Sequence, residues 1–289
     1  MHPVRELARL LLPVACPCGE LDVPWCEGCA GLLTRPPVRA ELGAPRLDRL
    51  DGVPPVPVWA VTAYTGPVRD VIVHWKDRGR ADLDRLLAPA LRAAAACLSP
   101  ELRRVLDEQL LGAPGRPPVA VVPVPSSRAA RRARGREPVG VLAAAVARGL
   151  HDAGVPVRVV PALARRGSGR DQVGLGARAR GRNLTGAVRM TRRGSRELGQ
   201  RSTCILVDDV LTTGATLAAV ERALEAHGHD VLGATVLAAT PPPSRAAETA
   251  RHVVPDTVAN LITTWMPERS TSPRSPSVGA VVTQATELA

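Results

Sequence analysis

Short apolar runs alternate along the chain with longer stretches that carry apolar residues at helical spacing. Runs typical of buried strands lie at 58–64, 119–125, 156–163, 202–209 and 230–240. The apolar run 69–75 continues the first of these strands. Helical spacing over 81–98, 139–150 and 216–228 predicts helices, the last with Gly228 as its C-terminal stop. This alternation predicts an α/β fold with a mostly parallel sheet and flanking helices on both faces.

Four segments show neither the apolar runs of strands nor the apolar spacing of helices. The Pro-rich residues 31–58 predict a linker with little structure of its own, and 126–138 predict a basic loop. The Arg/Gly-rich stretch 165–183 predicts a mobile loop. Residues rich in Pro, Ser, Thr and Arg predict a disordered tail after 240. We therefore expect a small module at 10–34, a linker at 35–58, the main domain at 59–240 and a tail at 241–289.

The composition indicates which residues form the core and which ligands the chain can bind. The 289 residues are 45% hydrophobic but only 2% aromatic, so Val, Leu, Ile and Ala must form the core. The net charge is +11, and Lys76 is the only lysine, so 37 of the 38 basic residues are arginine (38 − 1). Arginine binds phosphate groups bidentately, although a solvated basic face is the alternative.

The membrane and secretion signals are weak. No stretch approaches the roughly 20 apolar residues of a membrane span. The apolar run from Leu10 to Ala15 is too short for a secretion signal. We therefore expect a cytoplasmic location.

Four of the six cysteines lie close together, in CPCGELDVPWCEGC: Cys16, Cys18, Cys26 and Cys29. In a cytoplasmic chain this spacing favours a tetrahedral zinc site of the zinc-ribbon kind over disulfides. The first pair is one residue shorter than Cys-x-x-Cys, which can leave one ligand loose, and a reduced, metal-free loop is the alternative. The remaining two, Cys97 and Cys204, have apolar neighbours and are expected in the core.

The stretch LTTGAT follows a predicted strand and leads into the helix that begins near Thr216. In parallel sheets, ligands bind where strands end and helices begin. The free N–H groups of the first helical turn attract phosphate, and Gly214 and Ala215 let it approach the backbone. The hydroxyls of Thr212, Thr213 and Thr216 add donors, so the turn is a candidate phosphate site.

Two acids, Asp208 and Asp209, come immediately before this turn. They would repel a bare phosphate, but they suit a ligand that also presents hydroxyls or a metal ion. A ribose 5-phosphate meets both demands. The turn is neither a P-loop nor a dinucleotide fingerprint, and an ordinary acidic turn is the alternative.

The stretch ILVDDVLTTGATL, 205–217, closely resembles the phosphoribosyl pyrophosphate (PRPP) signature of type I phosphoribosyltransferases, which have a Rossmann-like fold. Four further segments narrow the resemblance to the competence-associated ComF family: the cysteine module, 64–91, and the loops at 122–135 and 165–190. The resemblance covers roughly residues 10–240 and makes 59–240 a phosphoribosyltransferase domain.

The resemblance implies roles that spacing alone does not give. Asp208 and Asp209 would hold the ribose hydroxyls during catalysis, and residues 212–216 the 5-phosphate. Ser126, Ser127 and Arg128 would face pyrophosphate. Mg²⁺ would bridge the ligand's oxygens, and Zn²⁺ would be structural. A flexible loop would carry Gln172, Leu175, Arg180 and Asn183 at family positions. Its arginines, Arg178, Arg180 and Arg182, would lie on the part that could close over the ligand.

Two departures leave turnover open. The family's Arg-Gly-Phe-Asn-Gln is RGREP here, residues 134–138, and Thr212 stands where purine transferases carry an acidic base. Three functions therefore compete. The chain is a glycosyl-type transferase acting on an unknown acceptor, a PRPP-sensing regulator, or a competence factor that handles single-stranded DNA or other competence proteins. Only the first two need both acids.

Overall fold

A six-stranded sheet organises the protein. The computed structural model of the chain describes residues 14–49, 51–109, 118–165 and 188–242. The sheet contains β1 (Val38–Arg39), β2 (Val58–Ala63), β3 (Val119–Pro123), β4 (Val157–Val159), β7 (Thr203–Leu211) and β8 (Asp230–Ala239). Its order is β1-β2-β8-β7-β3-β4, with only β1 antiparallel to its neighbour. The mostly parallel sheet is therefore confirmed, and β7 lies inside it.

Seven helices and a second small sheet complete the described part of the chain. The helices are α1 (Glu27–Gly31), α2 (Gly66–Asp77), α3 (Asp84–Gln109), α4 (Arg128–Arg134), α5 (Pro138–Asp152), α6 (Arg192–Leu198) and α7 (Ala215–Glu225). Short 3₁₀ turns occupy Glu41–Gly43 and Ala81–Leu83. The strands β5 (Leu163–Arg165) and β6 (Val188–Met190) pair antiparallel.

Two apolar cores form because alternate strand residues point to opposite faces of the sheet. On β7, Ile205 and Val207 join the core beneath α2, α3 and α5. Cys204 and Leu206 join the other core, beneath α7. Both faces are thus covered by helices, as the apolar runs predicted, and the buried position of Cys204 is confirmed.

Three local predictions are wrong. The run 69–75 is helical because Val68, Val71, Ile72 and Trp75 share one buried face of α2. The basic loop at 126–138 contains the helix α4, whose first turn is capped by the Ser127 side chain. Cys97 is exposed because it lies on the outer side of α3 rather than in the core.

The segment predicted as an unstructured linker has structure of its own between residues 38 and 47. It contributes β1, which pairs with β2, and a 3₁₀ turn. Ala44 and Leu47 are fully buried. The expectation of little structure here is wrong because these side chains are drawn into the core beneath α7. The remaining domain boundaries stay a prediction.

Two further predictions lie largely or wholly outside the described residues. Most of the loop predicted at 165–183 falls there, as does the tail after residue 242. Within the described ranges, no helix has the length and apolar character needed to cross a membrane.

The crossing of α3 and α5 depends on one glycine. A Cβ at Gly149 would lie 2.2 Å from the carbonyl oxygen of Arg92. We therefore predict that Gly149→Ala lowers the free energy of unfolding by about 1 to 3 kcal/mol. Gly140→Ala, on the same helix, is the matched control. Its nearest contact would be an ordinary 3.6 Å, so it should be neutral or stabilise by up to about 1 kcal/mol. Equal urea midpoints for the two variants would contradict the close approach.

Candidate functional site

The acid pair lies near the carboxyl end of β7. Alternation along the strand places Asp209 on the face covered by α2 and Asp208 on the opposite face. Asp209 is buried, with 2% of its surface exposed, and Asp208 is half-buried. The Asp209 N–H donates to Asp208 Oδ1 at 2.9 Å, and the Val210 N–H donates to Asp209 Oδ1 at 2.8 Å. The strand's own backbone therefore orients both carboxylates.

A lysine from α2 neutralises the buried acid. Lys76 Nζ forms an ion pair with Asp209 Oδ2. Burial acts to lower the pKa of the Lys76 ammonium, but the charge of Asp209 and its hydrogen bond outweigh it, and the pKa is raised. Burial, and then the neighbouring charge of Asp209, raises the pKa of the Asp208 carboxyl well above its usual range. The two acids are therefore unequal, because only Asp209 pairs with Lys76.

The turn after β7 is supported from behind by the segment at 44–47. The Arg46 N–H donates to the Thr213 carbonyl at 2.9 Å. Gly214 precedes α7 with a left-handed φ of 80°, which favours glycine. A Cβ there would come within 2.5 Å of Leu47 Cγ. A side chain at Gly214 would therefore point into the core, toward Leu47, rather than into the phosphate site.

A second loop faces the acid pair from the end of β3. The Ser126 hydroxyl donates to Glu137 Oε1 at 2.6 Å, and Ser127 Oγ accepts the Ala130 N–H at 3.1 Å. The loop is therefore held by Glu137 on one side and by its own helix α4 on the other.

The RGREP stretch, which departs from the family pattern, ties this loop to α2 and α3. Arg134 pairs with Asp77 at 2.8 Å. Arg136 pairs with Asp84 at 2.5 Å and lies over the ring of Trp75, 5.6 Å from its centroid. Ion pairs of Arg134 and Arg136 therefore hold this stretch, where the family pattern has an aromatic residue and two amides after Arg-Gly.

A cleft of about 370 Å³ connects these groups at the carboxyl edge of the sheet. The predicted residues that line it are Ser126, Ser127, Asp208, Asp209, Thr212 and Thr216. Thr213, Gly214 and Ala215 form the adjoining turn and helix start. Arg128 instead lines a smaller neighbouring cavity of about 100 Å³. The residues predicted on the flexible loop lie outside the described part of the chain.

Sequence reasoning missed five polar groups that line the cleft: Tyr64, Lys76, Asp77, Arg134 and Arg165. Tyr64 and Lys76 are the only tyrosine and the only lysine in the chain. Their rarity was the available signal, because a composition this biased makes each exception informative.

The four clustered cysteines converge on one point. Their ligand atoms all lie within 4.8 Å of one another. Four of the six S···S distances lie between 3.3 Å, for Cys16–Cys18, and 3.8 Å, for Cys16–Cys26. Four sulfurs around Zn²⁺ at about 2.3 Å would lie about 3.8 Å apart. The set therefore fits a tetrahedral metal ion, with Cys18 the one exposed member.

The thiol module is anchored beside α2. Arg80 donates to the carbonyls of Ala15 and Pro24 at 2.8 and 2.9 Å. Cys16, Cys26 and Cys29 belong to the same core as Trp75. The helix that carries Lys76 into the cleft therefore also packs against the cysteine module.

Comparison with known proteins finds a partial match. The family model described as phosphoribosyl transferase domain matches residues 140–264. This range contains β7, the acid pair and α7, so this part of the chain is similar to that domain, and the mostly parallel sheet with flanking helices agrees with a type I fold. A comparison with curated proteins found no significant match.

Three similar solved structures are distant relatives. They are an HPRT in which an invariant aspartic acid is replaced by asparagine (19% identity, TM-score 0.34), Trypanosoma cruzi hypoxanthine phosphoribosyl transferase (17%, 0.34) and L. donovani hypoxanthine-guanine phosphoribosyl transferase (17%, 0.31). The matches cover 52%, 53% and 57% of this chain and 65%, 74% and 77% of those chains. Similarity this low says nothing of activity here.

We predict that the chain binds one zinc ion through the four clustered thiols. Cys26→Ser should lose the metal and destabilise the fold, because metal binding to such sites contributes directly to folding. Cys97→Ser, which changes an exposed thiol, is the control. Elemental analysis of protein purified without chelator tests this. Less than about a tenth of an equivalent of zinc, with all four thiols freely titratable, would contradict the prediction.

We predict that Gly214→Ala destabilises the protein by about 2 to 4 kcal/mol, through the left-handed backbone and the overlap with Leu47. Gly135→Ala is the control, since Gly135 has a similar left-handed conformation (φ 64°, ψ 6°) but open space around it, and should cost about 1 kcal/mol. Adding Leu47→Ala to Gly214→Ala should recover part of the loss in a double-mutant cycle. Strict additivity of the two changes would rule out the contact.

Proposed function

We propose that this protein binds PRPP with Mg²⁺ in the cleft and transfers its phosphoribosyl group to an acceptor, as a ComF-type transferase with a structural zinc module. One observation carries the proposal. A pair of acids at the end of β7 is followed at once by a glycine turn and the N-terminus of α7. A ligand that contacts both the acid pair and the N-terminus of α7 would need hydroxyls at one end and a phosphate at the other.

Each part of the ligand then has a partner of suitable chemistry. Asp208 and Asp209 accept hydrogen bonds from the ribose hydroxyls. The 5-phosphate is held by residues 212–216, through backbone N–H groups and threonine hydroxyls at the helix N-terminus. Ser126 and Ser127 face the pyrophosphate, with Arg128 close by on α4.

Mg²⁺ fits this set, because Asp208 lines the cleft with a carboxylate, the hard oxygen ligand that Mg²⁺ prefers. When bound, the ion would neutralise charge on the pyrophosphate. The residues of the chain do the remaining work by holding the ribose in one orientation and placing donors where negative charge develops. Arg134 adds positive charge at the same edge of the cleft.

The second metal ion in the proposal is Zn²⁺, which the four clustered thiols would bind. Their distances suit the metal, and burial raises the pKa of the Cys29 thiol, so a cation is needed to hold it as thiolate. The ion would stabilise the module that packs against α2, and it would take no part in phosphoribosyl transfer.

A competence factor that handles single-stranded DNA is the second candidate. It is favoured by α4, on which Arg128, Arg131 and Arg132 are exposed. Such a surface would bind a phosphate backbone through charge. It would have no use for a buried acid beside the cleft, and bases would find few aromatic side chains on which to stack.

The test separates these functions at Asp208. Asp208→Asn should weaken PRPP·Mg²⁺ binding about tenfold to a hundredfold, because a charge-assisted hydrogen bond is lost. Inorganic phosphate should bind as well or slightly better, since a repelling charge is gone. Asp70→Asn, an exposed change on α2, is the control. Calorimetry measures the affinities of the wild type and both variants for PRPP·Mg²⁺ and for inorganic phosphate. Asp208 is the cleaner site because changing Asp209 also removes the partner of Lys76.

An unchanged PRPP affinity in Asp208→Asn would falsify the ribose role. If single-stranded DNA then bound more tightly to the variant than to the wild type, the DNA-handling function would be favoured. Binding of PRPP without pyrophosphate release in a screen of nucleobases would instead favour a PRPP sensor.

A further inference from the structure

The only lysine of the chain occupies the most demanding position for a cation. Arginine serves at the other 37 of 38 basic positions (38 − 1). Lys76 is the residue whose side chain enters the cleft and pairs with the buried Asp209. In a composition that uses arginine almost everywhere, a lysine at this position raises the question of what an arginine would change here.

The two cations differ in shape rather than charge. The lysine ammonium is compact and sits on a flexible stem, whereas the guanidinium is a planar fork with five donors that binds carboxylates bidentately. Lys76 takes one oxygen of Asp209 and leaves Asp208 lining the cleft. A guanidinium at the end of the same helix would reach further along the pair and occupy the space in front of it.

We propose that Lys76 is a positioning residue that holds Asp209 as a charged acceptor, and that it must be lysine because arginine would clamp the acid pair and close the ligand site. This inference rests on the proposed function in one respect only, the identity of PRPP as the ligand that arginine would exclude. The ion pair itself is independent of the ligand.

The charged groups around Lys76 indicate that its main partner is the acid pair. The charged groups that act on its ammonium are Asp208 and Asp209 from β7 and Arg134 from α4. Arg134 already pairs with Asp77. Lys76 is therefore the cation that balances the acids, and burial of Asp209 makes the loss of this partner costly.

Two substitutions separate charge from shape. Lys76→Arg keeps the charge, so the melting temperature should stay close to that of the wild type, while PRPP·Mg²⁺ binding should weaken about tenfold to a hundredfold. Lys76→Met keeps much of the stem but removes the charge. It should lower the melting temperature and weaken binding at pH 7. Arg69→Lys and Arg69→Met, at an exposed position on the same helix, are the matched controls.

A single lysine also allows a direct measurement on the full-length protein. Labelling with [13Cε]lysine gives one side-chain signal in the carbon NMR spectrum. It should titrate at higher pH in the wild type than in Asp209→Asn, and it should shift when PRPP·Mg²⁺ is added.

Two results would overturn the proposal. The first is a lysine signal that titrates identically in the wild type and Asp209→Asn. The second is a Lys76→Arg variant that binds PRPP as tightly as the wild type. If the wild type bound no PRPP at all, the proposed function would fall, and the lysine titration would still decide the ion pair.

Discussion

Parallel pairing of β7 with strands on both sides fixes the rest of the site. β7 pairs with β3 and β8, so its carboxyl end meets theirs at one edge of the sheet. The loop after β3 is thereby brought close to the acid pair and the turn at 212–214, although it lies about 80 residues earlier in the sequence. Because the strand alternates faces, adjacent acids on it meet different neighbours. One faces α2 and its lysine, and the other remains open to the cleft.

The C-terminal end of α2 joins three parts of the molecule. Trp75 donates its indole N–H to Asp84 and belongs to the core that includes the thiol module. Lys76 pairs with β7, and Asp77 pairs with Arg134 of the neighbouring loop. Three consecutive residues can reach three partners because helical positions one apart point about 100° away from each other. The module, the acids and the facing loop are therefore connected through one helical turn.

The sequence was sufficient where the chemistry is local. The acid pair, the threonines and Gly214 occur within a single strand-turn-helix stretch, and the cysteines are close neighbours, so their spacing predicted that each group would lie together. The main strands were predicted because their apolar runs are continuous. The helix α4 was missed because RAARRAR has no apolar stripe, and a cap and ion pairs hold it instead. Lys76 and Asp209 were not paired because nothing local relates distant parts of a chain.

The segment from Ala44 to Leu47 lies in a Pro-rich stretch that predicts a linker, but it supports the turn at 212–214 from behind. Leu47 lies beneath Gly214, and the backbone of Arg46 holds that of Thr213. The edge strand β1 and the buried Glu41, whose carboxylate accepts the Val58 N–H, fix this segment to the sheet. A shortened protein that began at β2 would keep the acid pair and the turn that follows it, yet lose the surface against which this turn is folded. We therefore expect the smallest autonomous unit to start before residue 38.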